Sequence, residues 1–267
     1  MKRRFWQIRA AADDPKIGEV LLYGEIGAYK FWGDEVIPKE FKEELDALGD
    51  VDELRVFINS PGGDVFAGQA IHSMLKRHPA HVSVYVDGLA ASIASVIAMA
   101  GDTVIMPLNA MMMIHQPWTW ASGNAEDFRR LADDLDKVAE SIVAAYESKT
   151  GLDRDEIVAL MDAETWMTAE EAVELGFADR IEESKQIAAS LRDGVLVIQG
   201  HEVDLSRYRN PPKILIAQAG VTDESEPEPE EGPEPTLERE PEPEPEPEDG
   251  LELEREREAL DLLLELL

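Results

Sequence analysis

Apolar residues cluster in short blocks along the first two thirds of the chain, and the spacing within each block predicts its element. Glu19-Val20-Leu21-Leu22-Tyr23-Gly24-Glu25-Ile26 reads as a buried strand, Leu54-Arg55-Val56-Phe57-Ile58 as a second and Val82 to Val86 as a third. Thr103 to Met106 and Ala110 to Ile114 predict two more strands. Between them the period lengthens. Pro38 to Leu48 predicts a helix with Phe41, Leu45 and Leu48 on one side, and a second runs from Val65 to about Arg77-His78-Pro79. Ser92 to Ala100 predicts a small apolar helix that must be buried.

The longest helix is expected from Ala125 to Ser148, N-capped by Asn124. Phe128, Leu131, Leu135, Val138, Ile142 and Ala145 recur at steps of three and four, making one apolar stripe with charge on the other sides. Arg154 to Met161 and Ala169 to Leu175 follow as shorter helices, with Gly176 as C-cap. Strands alternating with helices imply an α/β domain of βα crossover units. Beyond Arg180 the pattern weakens, with hairpin strands expected near Gly194 to Ile198 and Ile214 to Ile216.

Charge divides the chain. Residues 222–267 hold 20 acids against 3 arginines and half of the 16 prolines, whereas the first 221 residues hold 37 acids and 22 bases. A Glu-Pro tract over 222–250 repels itself and cannot bury a core, so disorder is expected there. Residues 251–267 predict an amphipathic docking helix through Leu253, Ala259, Leu260, Leu263, Leu264 and Leu267. The net charge of −32 argues against electrostatic nucleic-acid binding. Cysteine is absent, so thiolate chemistry and a disulfide framework are excluded, as suits a reducing compartment. The basic start, Met1-Lys2-Arg3-Arg4-Phe5-Trp6, lacks a following apolar signal-peptide region, and no apolar run is long enough to span a bilayer. The expectation is a cytoplasmic protein with neither membrane nor nucleic-acid partners. No P-loop, metal site or cofactor is expected.

The candidate chemistry sits in three blocks. In Asp87-Gly88-Leu89-Ala90-Ala91-Ser92-Ile93-Ala94-Ser95, Ser92 falls at a strand-to-helix junction among small residues that leave room for a substrate backbone. It reads either as a nucleophile or as a helix N-cap. His115, in Met113-Ile114-His115-Gln116-Pro117, reads either as a general base at a strand end or as a satisfied core histidine. In Ile58-Asn59-Ser60-Pro61-Gly62-Gly63-Asp64 the glycine turn can aim an N–H at an oxyanion; Gly63 and Ile93, the residue after Ser92, are the candidate donors. A third member that orients an imidazole must be a carboxylate. Asp162 and Glu164, placed in a loop between two helices, are the candidates, each with a surface-acid alternative. Trp118 and Trp120 read as substrate or subunit contacts, or as packing.

The blocks INSPGGDVFAG, DGLAASIAS, MMMIHQP and ETWMTAEEAVELGFAD, in this order from about Gly18 to Ile181, resemble the ClpP family of serine peptidases. Within it the chain looks most like the head-maturation (prohead) proteases of tailed phages and prophages. The resemblance implies a ClpP/crotonase-like fold of stacked βαβ repeats and a homo-oligomeric ring. It also implies a serine endopeptidase acting on capsid or scaffold proteins through an acyl-enzyme. It assigns Ser92 as nucleophile, His115 as base, Gly63 and Ile93 as the oxyanion hole, and Glu164, ahead of the Trp166-Met167-Thr168-Ala169 block, as third member. The family's usual residue there is aspartate, so Asp162 stays in reserve. The long helix matches the element that joins two rings. The implied organisation is an N-terminal segment at 1–17, the peptidase domain at 18–185, an extension at 186–221, the linker at 222–250 and the docking helix at 251–267. Two rival readings remain: a housekeeping ClpP subunit working with an ATP-driven unfoldase, and a capsid-assembly protein acting through its tail. A crotonase-type acyl-CoA enzyme shares the fold but has no use for a Ser–His pair.

Overall fold

The computed structural model describes residues 6–29, 36–182, 189–192, 195–198, 201–204 and 208–211. The strand expected at Ile214 to Ile216, the Glu-Pro tract and the terminal docking helix lie outside the described residues.

The architecture is mixed α/β. Five parallel strands, β2 (Ile17–Tyr23), β3 (Glu53–Ser60), β4 (His81–Ala91), β5 (Thr103–Pro107) and β8 (Arg180–Glu182), lie in that order, with β1 (Trp6–Ala10) antiparallel on the edge beside β2. Between them run α1 (Pro38–Ala47), α2 (Val65–Lys76), α3 (Ile93–Ala98), α4 (Ala125–Thr150), α5 (Arg154–Asp162) and α6 (Ala169–Glu174). Parallel neighbours require such crossovers, which explains the strand–helix alternation along the chain.

Side-chain alternation fixes the register. Val20, Val56, Val84 and Val104 are direct partners across β2, β3, β4 and β5, and all four are fully buried. Full burial of such a side chain is worth roughly 1.5–3 kcal/mol, and a one-residue slip would turn the whole row to the other face. Phe41 and Leu45 of α1 and Ile71 and Leu75 of α2 close the same core.

Strand β4 runs past its predicted end at Val86. Its first half pairs with β5 through Ser83, Val84 and Tyr85; its second half pairs with β6 (Met111–Ile114) through Leu89, Ala90 and Ala91. Asp87-Gly88 stands at this change of partner, where the β3 register also shifts between Ile58 and Ser60. The Tyr23 hydroxyl donates to the Asp87 carboxylate at this kink. Strand β6 then carries β7 (Thr165–Thr168) antiparallel on its other side, where a loop was expected. Past β8, β9 (Ala189–Arg192), β10 (Val195–Ile198) and β11 (His201–Asp204) form a separate antiparallel sheet.

Helix α4 starts at a capping box. Asn124 accepts from the Glu126 and Asp127 amides, and Asp127 accepts from the Asn124 amide. Only the C-terminal half enters the core, through Ile142, Val143 and Tyr146; Phe128 is exposed, and Leu131, Leu135 and Val138 are half-buried.

Candidate active site

Ser92 joins β4 to α3 with φ 56° and ψ −131°, a backbone state that costs a non-glycine residue about 1–3 kcal/mol. The surrounding contacts hold it there. The Ser92 N–H donates to the Met113 carbonyl at 2.9 Å, and the Ser95 hydroxyl donates to the Ser92 carbonyl at 2.5 Å. Ser95 Oγ also meets the buried Tyr146 Oη at 2.7 Å, and burial pushes that phenol up, so it stays protonated. Gly62, at φ 94°, packs directly against the serine: a Cβ added there would lie 2.6 Å from Ser92 Cβ. The turn therefore gives Ser92 a shaped wall, which an N-cap role would not need. No side-chain cap bond from Ser92 to α3 is formed.

Strand pairing brings the histidine alongside. Ala91 pairs with Met113, so the residues that follow each strand diverge only slightly, and His115 Nε2 lies 2.8 Å from Ser92 Oγ. The antiparallel β6–β7 register ends at Ile114 opposite Thr165, and one step further stand His115 and Glu164. Glu164 has φ 51° and a side chain only 3% exposed. A carboxyl group so deep needs hydrogen-bond partners. Its Oε2 accepts the Arg209 N–H at 3.0 Å and its Oε1 the Asn210 N–H at 2.6 Å. Asp162 is exposed and accepts from Gln116 Nε2 at 2.9 Å. Of the two acids considered, Glu164 is the one inside the fold at the level of the imidazole.

Gly63 pairs with Ile26 in a short parallel bridge: the Ile26 N–H donates to the Gly62 carbonyl and the Asp64 N–H to the Ile26 carbonyl, both at 2.8 Å. The Gly62–Gly63 peptide is trans, so with its carbonyl turned to Ile26 the Gly63 N–H points the opposite way. The Ile93 N–H opens α3 and so has no acceptor within the helix. Gly63, Ser92, His115, Trp118 and Tyr208 all line one cleft of about 420 Å³. Trp118 borders this cleft and Trp120 is almost fully exposed, so neither is core packing.

The hydrophobic pattern missed Tyr208. It lies in the weakly patterned stretch past β11, where a lone aromatic before Arg209-Asn210-Pro211 gives no periodicity to read. It is buried, its hydroxyl donates to the Pro61 carbonyl at 2.7 Å, and its ring meets Trp166 edge-on at 5.1 Å. Among the described residues no cluster of His, Asp or Glu could hold a metal ion, and no helix is long and apolar enough to cross a membrane.

A serine hydroxyl on an imidazole nitrogen, beside a cleft bordered by a glycine turn, can deliver an alkoxide-like oxygen to a carbonyl and return the proton to a leaving group. Comparisons with known proteins agree with that chemistry. The family model described as "Clp protease" matches residues 40–185, more than half of the chain. An ATP-dependent Clp protease proteolytic subunit of Bacteroides fragilis is 34% identical over 140 residues, covering 51% of this chain and 67% of that protein. The subunit of the same name from Deinococcus radiodurans is also 34% identical over 140 residues, covering 51% of this chain and 68% of its own. The chain belongs to the Clp protease family and is a ClpP-type serine peptidase, a hydrolase of peptide bonds.

Proposed function

We propose that Ser92 is the nucleophile, His115 its general base and Glu164 the acid that orients the imidazole. The observation that carries this is the 2.8 Å contact between His115 Nε2 and Ser92 Oγ at a strained junction. In this reading His115 takes the Ser92 proton as Oγ attacks the peptide carbonyl, and the Gly63 and Ile93 amides hold the oxyanion. His115 then protonates the leaving amine, and water resolves the acyl-enzyme by the same path in reverse. Ser92→Ala and His115→Ala should each lower kcat for a fluorogenic peptide by about 10⁶-fold, with KM changed far less. Retention of activity in Ser92→Ala would remove the nucleophile assignment.

The biological role we infer is head maturation in a phage or prophage, with capsid or scaffold proteins cleaved inside a homo-oligomeric ring in the host cytoplasm. The motif set supports it, as does the acidic tract at 222–267, whose amphipathic helix expected at 251–267 would seat the peptidase on capsid subunits. The half-exposed stripe of α4 offers a surface for ring stacking. Co-expression with the capsid and scaffold proteins tests this. Specific cleavage by wild type but not Ser92→Ala supports it, and loss of particle incorporation on deleting 222–267, with peptide hydrolysis intact, supports a docking tail. Cleavage of folded substrates only when an ATP-driven unfoldase is added would instead favour the housekeeping reading. The names of the Bacteroides and Deinococcus relatives are the observation behind that second reading.

A further inference from the structure

Residues 208–211 lie past the end of the segment that matches the family model, at residue 185, yet they reach both walls of the candidate site. On one wall the Tyr208 hydroxyl holds the Pro61 carbonyl, immediately before the Gly62-Gly63 turn. On the other wall the Arg209 and Asn210 amides hold the two Glu164 oxygens, and Asn210 Nδ2 donates to the Ala163 carbonyl at 3.1 Å. Between these anchors the Tyr208 ring stands edge-on to His115, with centroids 6.4 Å apart, and perpendicular to Trp166.

We propose that Tyr208-Arg209-Asn210 is a positioning strap, by which the chain's own C-terminal extension completes the peptidase site. The proposal rests on the assignment of Glu164 as third member. A glutamate has one more rotatable bond than an aspartate, and that freedom must be removed for its carboxylate to face an imidazole steadily. One amide on each oxygen does this. A carboxylate offers about four acceptor positions, so two amides leave capacity for an imidazole N–H. The Tyr208 ring closes the side of His115, limiting its swing away from Ser92. The holding groups on Glu164 are backbone amides. The Arg209 guanidinium stands 4.0 Å from Glu164 and is 71% exposed, a geometry that contributes little.

That distinction between backbone and side chain sets the test, made in the full-length protein. Arg209→Ala keeps the amide and should leave kcat within about twofold, as expected for a rim charge. Arg209→Pro removes the amide donor and should lower kcat on the order of 10²-fold, the scale of a small misplacement of a catalytic group, with KM nearly unchanged. It should also move the acid limb of the kcat/KM profile to lower pH, because a loosened carboxylate stabilises the imidazolium less. Tyr208→Phe keeps the ring and loses only the bond to Pro61; a fall in kcat of about tenfold is expected for one such bond. Should Arg209→Pro fail to fold by circular dichroism, Tyr208→Phe decides alone. Equal kcat and equal pH profiles for Arg209→Ala and Arg209→Pro, or an unchanged Tyr208→Phe, overturn the strap. Glu164→Gln separates this from the parent reading. If Glu164→Gln is impaired while the strap variants are not, only the strap fails; if Glu164→Gln is fully active, the acid assignment fails and the strap with it.

Discussion

The serine, the histidine and the glycine turn are held by contacts that tolerate little change. Gly62 combines φ 94° with a would-be Cβ 2.6 Å from Ser92 Cβ and 2.8 Å from the Ala91 carbonyl. In Gly62→Ala the serine must move, and kcat should fall on the order of 10²-fold while the fold, read by circular dichroism, persists. His72 on α2 gives a second residue-scale prediction. Burial, reinforced by the charge of Lys76, holds its imidazole below the ordinary 6.5. A base depressed in this way contributes stability above pH 6.5 that is lost as pH falls toward its folded value. The melting temperature should therefore drop on acidification below about 6.5, and His72→Gln should lessen that slope. Ser92 and His115 stood out as candidates in the sequence because a small-residue elbow and a histidine after an apolar strand are both local patterns. Glu164 was singled out only through the family resemblance, with Asp162 in reserve, and the β6–β7 register is what sets it one step from His115. Tyr208 needed the folded chain, because its partners Pro61, His115 and Trp166 are distant in sequence.

At the scale of elements, the helices and the long parallel strands were legible because each satisfies a single period over many residues. The expected ends of α1, α2, α4, α5 and α6 agree with the observed ones to within about two residues, the usual spread of helix boundaries. What escaped was short or ambiguous. Strand β7 has four residues, too few to show alternation, and β8 has three, all exposed. Asp87-Gly88 looks like a strand terminator, whereas β4 uses it to change partners and present Ala91-Ser92 beside β6. The core row that carries β4 should be sensitive to volume. Val56→Ala deletes two buried methyl groups at the middle of that row and should cost about 2 kcal/mol in a urea titration, with the m-value unchanged. A cost below about 0.5 kcal/mol would mean the row is less tightly packed than its burial indicates.

Over the whole molecule, the mixed α/β architecture was legible from strand–helix alternation, whereas the use of surfaces was only partly so. The stripe on α4 is continuous in sequence, but the structure buries only its C-terminal half. An apolar stripe left at the surface of a long helix calls for a partner. In the proposed ring assembly Phe128 and Leu131 meet a neighbouring subunit, and Phe128→Glu should shift the protein to a smaller species by sedimentation. An unchanged mass would place the assembly contacts elsewhere.

In the proposed mechanism one serine, at the β4–α3 junction, does the chemistry. Treatment of the full-length protein with a fluorophosphonate probe, followed by peptide mapping, tests it most directly. A single phosphonylated residue, Ser92, is expected, with labelling abolished in Ser92→Ala and strongly slowed in His115→Ala. Labelling of any other serine, or undiminished labelling in Ser92→Ala, would contradict it.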